Sequence, residues 1–166
     1  IIELDHITEG AACTTLLAKK FIDSSNPLII ANSDQYIKWD SIKSMYNYNQ
    51  KKIDGSILTF EAIHPKWSYA KTNNNNFVTE VAEKKVISKN ATVGVYYWKK
   101  GSDYVNFAER MIKKDIRVNN EFYVCPVYNE AIGVGKKIII DKVSEMHGLG
   151  TPDDLKNFIT KKNLTN

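Results

Sequence analysis

The segment Pro27-Leu28-Ile29-Ile30-Ala31-Asn32-Ser33-Asp34 decides how the chain is read, because an apolar run stops there abruptly at a carboxylate. An apolar run behind a proline has the pattern of a strand buried on both faces of a parallel sheet, and Asn32 and Ser33 then set Asp34 at the strand's carboxyl end. We therefore expect the strand over 28–31 to be central and buried. Open α/β sheets bind ligands at such ends. An Asp placed there commonly holds a divalent metal against phosphates, which makes Asp34 the first candidate for the chemistry. Taken alone, the motif serves a helix N-cap or a turn equally well.

With 166 residues and 43% hydrophobic content, the chain is sized for one domain with a substantial core. The net charge of +4 comes from 23 Lys and Arg against 19 Asp and Glu, scattered singly or in pairs. That balance gives no footprint for nucleic acid. Cys13 lies in a helical pattern and Cys125 in an apolar stretch, so two buried thiols in a reducing, cytoplasmic compartment are expected. No apolar run approaches the roughly 20 residues of a membrane helix, and the start shows no signal-peptide pattern. The chain opens on Ile1-Ile2-Glu3-Leu4 without a methionine, which suggests part of something longer.

Helical spacing runs over 9–22 and ends in the turn Asp23-Ser24-Ser25-Asn26-Pro27. A short helix is expected over 39–50, a strand over 53–63, and a hairpin from 67–71 and 77–82 around the Asn-rich tip Asn73 to Asn76. The segment 91–98 is a strong strand, and 103–113 is amphipathic, with Tyr104, Val105, Ala108, Met111 and Ile112 on one face. The part of 122–132 after Pro126 reads as helix, 136–143 as strand, and 153–160 as a helix begun by Thr151-Pro152. This order implies α/β with a mixed, mostly parallel sheet and flanking helices. No Gly-rich phosphate loop and no Gly-x-Ser-x-Gly elbow is present. His6, His64 and His147 show no metal spacing.

Thr8-Glu9-Gly10-Ala11-Ala12-Cys13-Thr14, the strand ending Asn32-Ser33-Asp34, Glu80-Val81-Ala82-Glu83-Lys84 before Thr92-Val93-Gly94-Val95-Tyr96, and Gly148-Leu149-Gly150-Thr151-Pro152 occur in one order. In that order the chain resembles the larger, carboxyl-terminal part of a sugar-phosphate nucleotidyltransferase. The resemblance implies the GT-A-like, Rossmann-like architecture of nucleotide-diphospho-sugar transferases, amino-terminally incomplete. It also implies an enzyme that joins a nucleoside triphosphate to a sugar 1-phosphate or related phosphorylated acceptor, releases pyrophosphate, uses Mg2+, and serves capsule or lipopolysaccharide synthesis. A homo-oligomer stays open.

By the resemblance, Gly10 to Thr14 lies against the nucleotide base beside Asn32, and Asp34 is the magnesium ligand. Tyr69-Ala70 lies under the sugar, while Glu83 bonds sugar hydroxyls and Lys84 meets the acceptor phosphate. Lys85 stands where the family's motif has proline. Val93-Gly94 closes over the sugar ring, and Glu121 falls near an acidic position facing it. Asp34 and Lys84 are thus the catalytic candidates.

Two features depart from the family pattern. The Gly-rich loop that cradles the triphosphate, with its Arg and Lys, is not in this chain, so little turnover by the chain alone is expected. The second metal-binding Asp should lie about where Gly148 stands; a single carboxylate with phosphates, help from His147 or Asp141, or a degraded site are the alternatives. Rival readings are a GT-A-type glycosyltransferase, disfavoured because no acid follows Asp34 until Asp40, and a noncatalytic sugar-nucleotide-binding domain.

Overall fold

The computed structural model describes residues 1–163. A six-stranded sheet runs β5-β4-β6-β3-β7, with β1 joined to β6 beside this path, and a separate two-stranded ribbon pairs β2 with β8. The strands are β1 (Leu28–Ala31), β2 (Gln35–Lys38), β3 (Gly55–Glu61), β4 (Tyr69–Thr72), β5 (Val78–Ala82), β6 (Asn90–Trp98), β7 (Ile138–Lys142) and β8 (Glu145–Gly148). The helices are α1 (Ala11–Leu16), α2 (Lys19–Ile22), α3 (Ser41–Lys51), α4 (Gly101–Lys113), α5 (Val127–Ile132) and α6 (Pro152–Asn163).

Local chemistry sets most of these elements. Asp40 caps α3 by accepting the Lys43 N–H at 3.0 Å. Asn73 Oδ1 accepts the N–H groups of Asn75 (2.9 Å) and Phe77 (3.1 Å), and Asn76 takes the positive φ that closes the β4–β5 hairpin. The helix expected over 9–22 is broken after Leu16. The Thr15 hydroxyl bonds back to the Ala12 carbonyl, a competition that weakens helical continuity.

The sheet is mixed, but the expectation of mostly parallel pairing is corrected. Only β3 and β7 run parallel; β1·β6, β3·β6, β4·β5 and β4·β6 are antiparallel. A parallel neighbour needs a long crossover, whereas β4 and β5 are joined by a tight turn and the longer excursions return to antiparallel partners.

The expectation that β1 is central and buried is also overturned. It pairs with β6 alone, and its outer edge has no partner among the described residues. Leu28 and Ile30 pack into the main core while Ile29, 46% exposed, and Ala31 alternate outward. Uniform apolarity prepared both faces for burial, but only one is covered.

The central strand is instead β6, whose residues from Ala91 to Trp98 are all buried. Trp98 stacks on Tyr128 of α5 at 4.2 Å, and the Tyr128 hydroxyl donates to the Tyr97 carbonyl at 2.9 Å, so α5 is fixed to the sheet by both a ring face and a polar anchor. Helix α4 adds Tyr104, Val105, Ala108 and Met111 to this core, the face its spacing predicts. Cys125 is buried, Cys13 partly so, and both are free thiols. On the opposite side Ile37, Trp39, Val143 and Met146 pack the β2–β8 ribbon over Leu58, Val93 and Val95. The groove between this ribbon, the ends of β1 and β5 and the middle of β6 is where the candidate site lies.

Candidate functional site

A cavity of about 390 Å³ opens where these elements meet, and it gathers Asn32, Asp34, Glu83, Lys84, Val93 and Gly94 from three separate segments. Asn32 follows β1 and its N–H donates to the Gly94 carbonyl at 2.9 Å. Gly94 has φ +74°, and a Cβ there would stand 2.7 Å from Asn32 Cγ. Glycine is needed for both the backbone and the side chain facing it.

Glu83 and Lys84 are adjacent, so a regular strand would send them to opposite faces. The strand β5 ends at Ala82 and Lys84 turns into the left-handed region at φ +53°, which brings both side chains to one cavity. Ser68 donates to the Glu83 carboxylate. Burial nevertheless raises the Glu83 pKa, with Glu121 adding to the rise and Ser68 and Lys84 opposing it. Lys84 Nζ donates to the Tyr123 hydroxyl at 2.7 Å and lies 4.8 Å from that ring's centre. The Tyr123 hydrogen bond, aided by Glu83 and Glu121, keeps this ammonium charged.

Other expected residues lie elsewhere. A Cβ on Gly10 would come within 2.6 Å of the Phe122 backbone, so its missing side chain admits protein rather than a base, and Ala11 lines the cavity in its place. The Thr14 hydroxyl is shared with Thr8 (2.5 Å) and the Gly10 carbonyl (3.2 Å). Tyr69 is wholly buried, donates to the His64 carbonyl at 2.7 Å and does not line the cavity. Glu121 is exposed beyond the lining and acts on Glu83, Lys84 and Tyr123 through its charge.

Neither alternative metal helper reaches the cavity. His147 Nε2 meets Glu145 Oε1 at 2.9 Å and packs against Phe158, while Asp141 Oδ2 accepts from Trp39, Ser44 and Tyr48 beside a second hollow of about 240 Å³. Among the described residues no three His, Cys, Asp or Glu side chains gather as a metal cluster. Asp34 stands at the rim, its Oδ2 2.7 Å from where a Cβ on Gly150 would lie. Its carbonyl accepts the Leu149 N–H at 2.7 Å.

Of the lining residues that escaped the sequence reading, three carry a charge or an aromatic ring into the cavity wall: Asp154, Lys66 and Trp67. Asp154 reaches the cavity from the first turn of α6, and Thr151 Oγ1 donates to its Oδ2 at 2.8 Å. Lys66 lies 4.7 Å from the centre of the Trp67 ring, and Trp67 stands edge-on to Phe60 at 5.2 Å. The pair Lys66-Trp67 follows Pro65 in a loop, a context with no local signal of a site.

This fold is that of solved sugar-phosphate nucleotidyltransferases. A nucleoside-diphosphate-sugar pyrophosphorylase from Vibrio cholerae RC9 superposes with a TM-score of 0.78 at 26% identity, covering 95% of this chain and 67% of that one. A UDP-glucose pyrophosphorylase complexed with UDP-glucose gives 0.78 at 15% identity, covering 95% and 64%. A Bacillus anthracis protein assigned as a glucose-1-phosphate thymidylyltransferase, solved with sucrose, gives 0.71 at 16%, covering 92% and 61%. The chain thus spans roughly two thirds of each of these proteins, between 61% and 67%. No family model matches the chain, and no curated protein is similar to it in sequence. None of the described helices is long and apolar enough to cross a membrane.

Proposed function

We propose that the chain is the acceptor-binding part of a nucleotidyltransferase that joins a nucleoside triphosphate to a sugar 1-phosphate or related phosphorylated acceptor. The observation that carries this reading is the convergence of Asn32, Asp34, Glu83, Lys84 and Gly94 on one cavity of a nucleotidyltransferase fold. An acceptor phosphate oxygen attacks the α-phosphorus, and pyrophosphate leaves. Supply of nucleotide sugar for capsule or lipopolysaccharide, in the cytoplasm, is the role that fits this product.

Bringing two phosphates together requires that their repulsion be cancelled. Lys84 meets the acceptor phosphate, and its stacking on Tyr123 positions that charge before the ligand arrives. Glu83, oriented by Ser68, accepts hydroxyls of the acceptor. Asn32, held against Gly94, offers an amide to the nucleotide. Asp34 is suited to hold Mg2+ together with substrate phosphates, since such sites commonly use one or two carboxylates. When bound, the ion supplies charge neutralisation at the reacting phosphorus.

A glycosyltransferase using an Asp-x-Asp metal motif is disfavoured: Asp34 is followed by β2, and the next acid, Asp40, lies in the second hollow. Calorimetric titration of the chain with nucleotide sugars differing in base, with sugar 1-phosphates and with phosphocholine tests the proposal. Saturable binding is expected, with the phosphorylated acceptor weakened in Lys84→Ala and the Mg2+-dependent part of binding lost in Asp34→Asn. Indifference to every ligand in the panel would refute it.

A further inference from the structure

We infer that Asp154, carried on α6, is the second metal-ligating carboxylate of this site and stands in for the side chain that Gly148 lacks; the inference rests on the nucleotidyltransferase reading. A Cβ built on Gly148 would lie 4.0 Å from Asp154 Oδ2 and 3.6 Å from the Trp67 ring. The Asp154 carboxylate therefore occupies the region toward which a side chain at 148 would project. Two residues along the same segment, a Cβ on Gly150 would press within 2.7 Å of Asp34 Oδ2. The glycines thus form a side-chain-free cradle, with one carboxylate approaching beside each.

The cradle is held in place from both ends. The Leu149 N–H donates to the Asp34 carbonyl at 2.7 Å, which ties the segment to the end of β1. At the other end the Asp154 N–H donates to Thr151 Oγ1 at 3.1 Å, and that hydroxyl returns a bond to Asp154 Oδ2. Among the described residues neither Asp34 nor Asp154 has a direct ion-pair partner, so both carboxylates stay available to a ligand in a cavity whose cations, Lys66 and Lys84, are not bonded to either. Hard divalent ions such as Mg2+ and Mn2+ take oxygen ligands of this kind, completed by water or phosphate. Asp153 is exposed and does not line the cavity, which singles out Asp154 from its neighbour.

The test uses Mn2+ alone as the probe, followed through the electron paramagnetic resonance signal of the free ion. Even an outer partner of a metal site is worth about 10–100-fold in affinity, so Asp154→Asn and Asp34→Asn should each weaken Mn2+ binding by about tenfold or more, while Asp153→Asn leaves it unchanged. The double variant Gly148→Asp/Asp154→Asn should regain affinity, because contacts of 3.6 and 4.0 Å leave ordinary room for a side chain at 148. Binding of Mn2+ by Asp154→Asn as tight as wild type overturns the inference, and if Asp34→Asn weakens it meanwhile, the nucleotidyltransferase reading stands. Absence of saturable Mn2+ binding in the wild-type chain also overturns it, whereas nucleotide-sugar binding by calorimetry would leave the proposed function in place.

Discussion

Replacing Gly94 by alanine tests how the cavity is built, because two separate costs meet at one atom. The residue sits at φ +74° in β6, and the added Cβ would fall 2.7 Å from Asn32 Cγ. Left-handed backbone costs a non-glycine residue about 1–2 kcal/mol. Forcing Asn32 from its rotamer adds about 0.5–1.5 kcal/mol, and the stiffer unfolded chain returns about 0.4–1 kcal/mol. The net is a destabilisation of about 2 kcal/mol, which for a domain of this size lowers Tm by about 4–8 °C. Thermal unfolding followed by circular dichroism measures it. A double-mutant cycle with Asn32→Ala separates the two costs: removing the Asn32 amide relieves the clash but not the backbone strain, so a coupling of about 1 kcal/mol is expected. A neutral Gly94→Ala, or strictly additive effects, would refute this account of the cavity wall.

Three further outcomes are expected. Lys84→Ala should raise the acceptor KM in the full-length enzyme by about 10–100-fold, the worth of a hydrogen bond to a charged group, while nucleotide binding stays intact; equal weakening of both substrates in steady-state kinetics would place Lys84 outside the acceptor site. Because burial raises the Glu83 pKa, its favourable contribution is complete at low pH and is lost as pH rises through the folded value. Glu83→Gln should therefore melt above wild type at pH 7, the gap narrowing as pH falls through the carboxylate range; a pH-independent gap in calorimetric scans would contradict it. Ile29→Lys, on the outward face of the unpaired β1 edge, should suppress self-association of the chain in light scattering while changing stability by less than about 0.5 kcal/mol; unchanged association would show that the edge is not the sticky surface.

What could be read in the sequence is what has a local cause. The hairpin tip at Asn73 to Asn76, the apolar face of α4 and the run of β6 each carry their own periodicity or turn chemistry, and each forms as expected. The ribbon strands Gln35–Lys38 and Glu145–Gly148 are short, mixed in polarity and paired across most of the chain, so nothing near either announces it. The apolar run of β1 declares that it wants cover without declaring how many neighbours it has. Asp34, Glu83 and Lys84 were legible because each ends a strand in a recognisable order. Asp154 looked like an ordinary acid in a first helical turn, a position acids favour anyway. Only the approach of α6 to Gly148 gives it a second meaning. Tyr69 shows the reverse error, since an aromatic ring beside a site is still a core residue when both sides of it are filled.

The close fit of Gly10 against Phe122 has a mechanical consequence. The Ala12 N–H donates to the Phe122 carbonyl at 2.9 Å and the Phe122 N–H to the Glu9 carbonyl at 2.8 Å, so Ala11 and the stretch Tyr123 to Cys125 form a single seamed wall. Arg117 reinforces the seam, lying 4.0 Å from the Phe122 ring centre and 2.6 Å from Glu9. The seam binds the two segments of this wall to each other. The facing wall is the β2–β8 ribbon with α6, where the ribbon belongs to a different sheet and the two together carry Gly148 and Asp154. On the metal reading proposed above, a cation held between Asp34 and Asp154 would tie the ribbon and α6 to the end of β1, one wall of the cleft to the other.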